Sequence, residues 1–173
     1  MDFIIFGILF NISNLFFISL IMTHLNSGDK APDFNTTDES GSPVRLADYK
    51  GSKLILFAYP KAMTPGCTAE ACNLQDNYDL LKEKGFSILG ISADDTKKQQ
   101  RFKEKYGFKY PLIPDTEKEI LKAYGIWGLK KNYGREYEGI FRTTFIIDEN
   151  GIIEKVFKKV KTKEHSEQIL AEY

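Results

Sequence analysis

The most constraining feature of this sequence is an unbroken apolar run, KLILFAY, at residues 53–59. A strand that is apolar at every position, rather than at alternate positions, is typical of the centre of a sheet covered on both faces. A second run of this kind, FSILGIS, follows at residues 86–92. Such strands need packing layers on both sides, so the sequence predicts an α/β fold.

Helical patterns alternate with these strands. Apolar residues recur every three or four positions from Ala71 to Leu81, which predicts one helix over residues 68–84 that ends at Gly85. The sequence ADDT then supplies capping side chains for a helix near residues 97–106. This order predicts that the two apolar strands lie parallel in one sheet.

The C-terminal third of the chain predicts a change to antiparallel pairing. Residues 111–113 favour an edge strand, and TEKEILKAYG favours a short helix closed by Gly125. The strand-like runs GIFRTTFIID and GIIEKVF are joined by DENG, in which Asn150 and Gly151 favour a tight left-handed hairpin turn. With a last helix near residues 163–173, we expect a central mixed sheet flanked by helices.

Composition excludes several classes of function. Lysine and arginine total 24, and aspartate and glutamate also total 24, so no net charge draws the chain to nucleic acid. The length of 173 residues fits one domain. Two cysteines are too few for a disulfide framework, so we expect their role to be chemical rather than architectural.

The N-terminal segment, residues 3–22, carries no charge and is long enough to span a bilayer. Asp2 stands where a secretory signal would carry a basic residue. We favour upstream DNA read as coding, with the protein starting at Met22, because residues specified by AT-rich codons dominate the segment; a membrane anchor and an export signal are the alternatives. The expected folded domain is residues 26–173, with residues 1–25 as a separate hydrophobic segment and a cytoplasmic location.

Both cysteines lie in YPKAMTPGCTAEAC, residues 59–72, directly after the first apolar strand. We expect Cys67 in the first turn of the following helix, where unpaired backbone N–H groups and the helix dipole favour a thiolate. Most free cysteines are small buried hydrophobic residues, and composition alone favours that role. The tight loop at residues 60–66, rich in proline and glycine, favours a reactive thiol instead.

The spacing of Pro60, Thr64 and Cys67 matches the peroxidatic motif of the peroxiredoxins: proline, three residues, threonine or serine, two residues, cysteine. With GIWG, YEGIFRTTFIID and a second cysteine five positions after the first, residues 27–173 resemble the bacterioferritin comigratory protein, or Q-type, subfamily. Gln75 departs from the pattern, because relatives often carry arginine in the segment after the second cysteine.

The resemblance implies a thioredoxin-like fold and a thiol peroxidase that reduces hydrogen peroxide or organic hydroperoxides to water or alcohols. Cys67 would be the attacking nucleophile, and Thr64 would hydrogen-bond the peroxide. Pro60 would shield the thiolate from water. Arg142 would be the active-site arginine, although a solvated arginine on a strand is the commoner fate of this residue type. No cofactor or metal is implied.

Cys72 is the only other thiol in the chain, so we expect it to resolve the sulfenic acid on Cys67 as an intramolecular disulfide. In an ideal helix two residues five apart have Cα atoms roughly 8.7 Å apart, whereas a disulfide needs less than about 7 Å. The start of the helix must therefore unwind in each cycle. The resemblance implies thioredoxin, or a similar dithiol, as the reductant, and a monomer or weak dimer.

Two functions of other classes stay open. A copper or zinc carrier would use both cysteines and a distant histidine, His24 or His165, but it would leave Pro60 and Thr64 unexplained. A thioredoxin-like binding module without catalysis predicts that Cys67→Ser changes nothing.

Overall fold

The computed structural model describes residues 24–173, which contain nine strands, five α-helices and a short 3-10 helix at Leu46–Tyr49. The strands are β1 (Asn35–Thr37), β2 (Pro43–Arg45), β3 (Lys53–Ala58), β4 (Phe86–Ser92), β5 (Leu112–Pro114), β6 (Trp127–Asn132), β7 (Arg135–Ile140), β8 (Thr143–Ile147) and β9 (Ile153–Phe157). The helices are α1 (Pro65–Asp76), α2 (Tyr78–Glu83), α3 (Thr96–Tyr106), α4 (Glu119–Ala123) and α5 (His165–Leu170).

A five-stranded mixed sheet organises the molecule, in the order β5-β4-β3-β8-β9. β3, β4 and β5 are parallel, whereas β8 runs antiparallel to β3, and β9 runs antiparallel to β8. The two apolar runs are therefore parallel neighbours, and the sheet ends in an antiparallel pair. The predicted parallel pairing, edge strand and mixed sheet are confirmed.

The central strand β3 is buried on both faces, as its unbroken apolar run predicts. Leu54 and Leu56 pack into one core cluster, and Ile55 and Phe57 pack into the other. This alternation follows from the two-residue period of a strand. Side chains of α1, α3 and α5 fill the second cluster, so these helices cover that face. α4 packs on the opposite face through Leu121.

The predicted single helix over residues 68–84 is wrong in two respects. The helical segment begins earlier, at Pro65, because proline is tolerated at a first helical position, where its missing N–H costs no hydrogen bond. It also divides at Asn77, which ends α1 and precedes α2. The Asn77 amide donates to the carbonyl of Asn73 at 3.0 Å, so its side chain competes locally with regular helical bonding.

The C-terminal elements are shorter than predicted. α4 and α5 have 5 and 6 residues, respectively. The run GIFRTTFIID is divided, because Gly139 and Ile140 belong to β7 and only residues 143–147 belong to β8. The hairpin between β8 and β9 is confirmed, but Gly151 alone in its turn has a positive φ, of 83°. Asn150 therefore does not adopt the left-handed conformation that the Asn-Gly pair suggested.

Two hairpins were not predicted: β1 with β2, and β6 with β7. The second turns at Tyr133 and Gly134, which both have positive φ, of 48° and 76°. Tyrosine is uncommon in this conformation. Because tyrosine stands where such a turn usually has asparagine before glycine, the sequence did not predict this hairpin.

The predicted hydrophobic N-terminal segment and the proposed start at Met22 lie outside the described residues, apart from His24 and Leu25. Leu25 packs in a core cluster of the domain. Across residues 24–173, no helix combines the length and the apolar character that a bilayer crossing requires.

Candidate active site

Cys67 is the third residue of α1 and lies in its first turn, as the sequence predicts. Thr64 is the N-cap residue, with the extended backbone typical of that position. The Cys67 side chain is 1% exposed and packs with Ala71 and Leu74 in the core cluster beneath the helix. The sulfur is thus buried beside the positive end of the helix dipole.

The loop before α1 is held by a carboxylate that the sequence reasoning assigned only to capping. The Asp94 carboxylate accepts a hydrogen bond from the backbone N–H of Ala62 at 2.7 Å and forms an ion pair with Lys98 at 2.6 Å. Its neighbour Asp95 is the residue that caps α3. Met63, which follows Ala62 in the loop, has a φ of 65°, a strained backbone value for a residue of its size. Asp94 therefore helps to fix a strained loop that leads into the reactive turn.

Arg142 lies beside the sulfur of Cys67. Its Nη2 atom donates to Cys67 Sγ at 3.2 Å, and Nη1 forms an ion pair with Glu70. Arg142 falls between β7 and β8 rather than within a strand, and its side chain is 23% exposed. The fold therefore brings together two residues 75 positions apart in the chain. Arg142 is therefore not a freely solvated arginine on a strand, the alternative that its residue type suggested.

Glu70 is a residue of the site that the sequence reasoning missed. It is fully buried, and its Oε1 atom has no hydrogen-bond partner within residues 24–173. Burial raises the pKa of Glu70 to about 7, against the opposing effect of the Arg142 charge. A sequence signal existed, because Glu70 stands three positions after Cys67 and so lies on the same helix face.

Pro60 and Thr64 lie in the loop between β3 and α1. Pro60 is exposed and lines a cleft of about 320 Å³, together with Trp127, Tyr137 and other residues of the β6–β7 hairpin. The Thr64 hydroxyl donates to the carbonyl of Lys61 at 2.8 Å. Its hydrogen is therefore engaged, while its oxygen keeps the capacity to accept a hydrogen bond.

Cys72 lies on the same helix as Cys67, and both thiols are free. Cys72 is half-buried, and burial, followed by the charge of Asp76, raises the pKa of its thiol. Gln75, the departure from the family pattern, accepts a hydrogen bond from the backbone N–H of Lys109 at 2.7 Å. Because both cysteines lie in α1 of the reduced protein, the helical geometry keeps the two sulfurs apart.

The metal-carrier alternative finds no support in the placement of the histidine. His165 is buried, and its two ring nitrogens lie at hydrogen-bond distance from Thr144 (2.8 Å) and Gln168 (3.0 Å). Within the described residues, the one group of three potential ligands whose donor atoms lie within 4.8 Å of one another is formed by the acidic side chains Asp148, Glu149 and Glu154. That group includes neither cysteine.

Comparison with known proteins identifies the family. The model of the AhpC/TSA family matches residues 27–156. Peroxiredoxin Bcp of Escherichia coli (strain K12) is 44% identical over 149 residues, which cover 86% of this chain and 96% of the relative. This chain belongs to the AhpC/TSA family and is a peroxiredoxin. It is thus a thiol peroxidase, as the resemblance implied.

Solved structures extend the similarity to the fold of this peroxiredoxin. Peroxidoxin BcpB from Mycobacterium tuberculosis is 35% identical, with a TM-score of 0.76 over 86% of this chain and 96% of that one. The bacterioferritin comigratory protein of Xanthomonas campestris is 30% identical, with a TM-score of 0.75 over 80% and 88% of the two chains. The predicted thioredoxin-like fold, a central mixed sheet flanked by helices, is confirmed.

Proposed function

We propose that this peroxiredoxin reduces hydroperoxides through Cys67 as the nucleophile, with Cys72 as the resolving thiol. The observation that carries the proposal is the donation from Arg142 Nη2 to Cys67 Sγ at the first turn of α1. A cation and a helix start both favour negative charge on this sulfur. A buried structural cysteine would need neither of them.

In the first step, the Cys67 thiolate attacks one peroxide oxygen. A sulfur–oxygen bond forms, the oxygen–oxygen bond breaks, and the departing oxygen leaves with the electron pair and takes a proton to become water or an alcohol. Sulfur is oxidised to sulfenic acid as the peroxide is reduced. Arg142 presents two N–H-bearing nitrogens in a fixed plane, so it can hold the peroxide in line and stabilise the departing oxygen.

The loop supplies the other contacts of the reacting peroxide. Thr64 donates its hydroxyl hydrogen to Lys61, so its oxygen is oriented to accept a hydrogen bond from the peroxide O–H. Pro60 has no N–H and shields the sulfur from water. Glu70 fixes the guanidinium of Arg142 through the ion pair between them.

In the second step, Cys72 attacks the sulfenic acid of Cys67. A disulfide forms, and water leaves. In the folded helix, burial and then the charge of Asp76 raise the pKa of the Cys72 thiol. The opening of the start of α1 brings the Cys67 sulfur within reach of Cys72. Reduction by an external dithiol then restores both thiols.

The Xanthomonas campestris relative was solved in a study of its alkyl peroxide reduction activity. We infer that this chain also accepts alkyl hydroperoxides, since the cleft beside Pro60 is lined partly by Trp127, Tyr137 and Ile140. Thioredoxin or a similar dithiol protein is the proposed reductant. A cytoplasmic location and a monomer or weak dimer belong to the same proposal. So do a folded domain over residues 26–173, extended by the packed Leu25, and a separate segment before it.

Treatment of the reduced protein with one equivalent of hydrogen peroxide, followed by peptide mapping, tests nucleophile, partner and reaction type together. We expect one disulfide between Cys67 and Cys72. Cys67→Ser should consume no peroxide, because no nucleophile remains. Cys72→Ser, the matched control, should consume one equivalent and hold a sulfenic acid that dimedone traps. Two free thiols after exposure of the wild type to excess peroxide would contradict the proposal.

A further inference from the structure

Thr68, the residue after the nucleophile, has a buried hydroxyl that the reduced fold does not use. Its Oγ1 atom is buried without a hydrogen-bond partner within residues 24–173. A buried polar group without a partner carries a desolvation cost, and such a group in a native protein calls for an explanation. Nothing in the peroxide step uses this hydroxyl.

Hydrogen bonds at residues on both sides of Cys72 tie the C-terminal part of α1 to the rest of the fold. Asn73 Oδ1 accepts from the backbone N–H of Ser166, the second residue of α5, at 2.7 Å. Asn73 Nδ2 donates to the carbonyl of Lys163 at 3.2 Å and to Glu167 at 3.1 Å. These bonds use the donor and acceptor groups of the asparagine amide at one site.

Two further bonds hold the same part of the helix. The buried hydroxyl of Tyr110 donates to the carbonyl of Ala71 at 2.8 Å. Gln75 accepts from the backbone N–H of Lys109 at 2.7 Å. The segment from Ala71 to Gln75 is therefore fixed to α5 and to the strand region before β5.

The first turn of α1 has fewer restraints of this kind. Thr64, its N-cap, makes no side-chain capping bond, and Pro65 has no N–H to contribute. The contact between Arg142 and the Cys67 sulfur depends on the position of that sulfur, which must move when the disulfide forms. Opening should therefore begin at this end and stop where the ties begin.

We propose that, on formation of the Cys67–Cys72 disulfide, only the first turn of α1 unwinds and Thr68 becomes the N-cap of the shortened helix. This inference rests on the disulfide of the proposed function. Threonine is a favoured N-cap residue, and its hydroxyl then accepts from the N–H of Glu70 or Ala71, which lose their carbonyl partners in the unwound turn. The hydroxyl that is idle in the reduced protein thus acts in the oxidised one.

The spacing of the two cysteines fits this boundary. With Thr68 as N-cap, Cys67 occupies the position before the cap and Cys72 the fourth helical position. Side chains at these two positions pack against each other in the hydrophobic staple, although they are five residues apart in sequence. The disulfide takes the place of that contact. Glu70 then lies in the first turn, where an acidic side chain is favourable to the helix dipole.

Thr68→Val tests the proposal, because valine keeps the branched shape and removes the hydroxyl. Reduced and oxidised dithiothreitol set the redox poise, and alkylation followed by mass spectrometry measures the disulfide fraction. Loss of an N-cap should shift the equilibrium about fivefold toward the free thiols. Thr68→Ser, the matched control, keeps the hydroxyl and should stay within about twofold of the wild type. The inference would be overturned if Thr68→Val and the wild type had the same dithiol–disulfide equilibrium.

Amide hydrogen exchange of the wild type provides a second test that needs no variant. In the oxidised protein, exchange should accelerate for Thr68 and Ala69, whose N–H groups lose their carbonyl partners in the unwound turn, while Leu74 and the N–H of Ser166 keep their protection. Loss of protection through Asp76 and at Ser166 would show that the whole helix opens, and would also overturn the inference. Absence of any disulfide would instead contradict the proposed function, so the two failures are distinguishable.

Discussion

At the scale of single residues, the site combines groups that are ordinary when taken one at a time. Cys67 is a buried thiol, Arg142 is a partly exposed cation, and Glu70 is a buried carboxylate. Their contacts with one another set them apart from ordinary residues of these types: Arg142 donates to the Cys67 sulfur with one nitrogen and to the Glu70 carboxylate with another. The planar guanidinium is needed for this, because an ammonium group is a point charge on a flexible stem.

Arg142→Lys should therefore retain a positive charge and lose most of the rate of the peroxide step, about a hundredfold, the effect of removing one preorganised donor. Rapid mixing of the reduced protein with hydrogen peroxide measures this rate separately from disulfide reduction. Arg135→Lys is the matched control, because Arg135 is exposed on the β6–β7 hairpin and should leave the rate unchanged. An unchanged rate in Arg142→Lys would remove Arg142 from the mechanism.

At the scale of the element, α1 has two tasks that need different structures. Its first turn must be helical to place Cys67 beside Arg142, and it must open for Cys72 to reach the sulfur. Gly66 lies in that turn with an ordinary helical backbone, so it lowers helix stability without being required by its φ angle. A low-stability end is what a segment that opens in each cycle needs.

Gly66→Ala should favour the reduced, helical form. Alanine is the better helix former, and its Cβ atom would lie 3.4 Å from Arg142 Nη2, which is close to ordinary contact. We expect the dithiol–disulfide equilibrium to shift about threefold toward the free thiols.

The same dithiothreitol measurement checks this prediction. Ala69→Gly is the matched control, because residue 69 stays helical in both redox forms under the proposed boundary. That variant should lower overall stability and leave the redox equilibrium within about twofold of the wild type. A shift of about threefold toward the disulfide in Ala69→Gly would mean that residue 69 also unwinds and that the helix opens beyond Thr68.

At the scale of the whole molecule, two buried titratable groups make stability depend on pH in opposite directions. Burial raises the pKa of Glu70 from 4.5 to about 7, so its contribution to stability is full below pH 4.5 and is lost as the pH rises toward 7. Burial lowers the pKa of His165 from 6.5 to about 4, so its contribution is full above pH 6.5 and is lost as the pH falls toward 4. Between pH 4.5 and 6.5 the two effects oppose each other.

Single variants should separate these effects. In Glu70→Gln the free energy of unfolding should fall as the pH is lowered from 6.5 to 4.5, because only the His165 contribution remains. In His165→Gln it should fall as the pH is raised from 4.5 to 7. Each slope should be on the order of 1 kcal/mol per pH unit. Urea denaturation at several pH values measures both slopes, and parallel profiles for the two variants would contradict the assignment.

Much of the architecture could be predicted from local patterns. The bounds of β4 and the burial of β3 followed from apolar runs that have one stable arrangement, a covered central strand. Asp95 caps α3 as predicted, because an N-cap needs only a side chain three residues before its partner. The β6–β7 hairpin was missed, because Tyr133 in a positive-φ turn is an exception to the usual sequence signal.

The sequence by itself determined the central strands, the placement of Cys67 in the first turn of a helix and the five-residue spacing to Cys72, because these depend on residues close together in the chain. Only the tertiary structure decided which cation lies beside the sulfur, which carboxylate is buried and where α1 is tied. Arg142 meets Cys67 across 75 positions, and Asn73 meets Ser166 across 93. Such contacts arise from the packing of the sheet and its helices, and the energy of a buried charge depends on that packing rather than on neighbours in sequence.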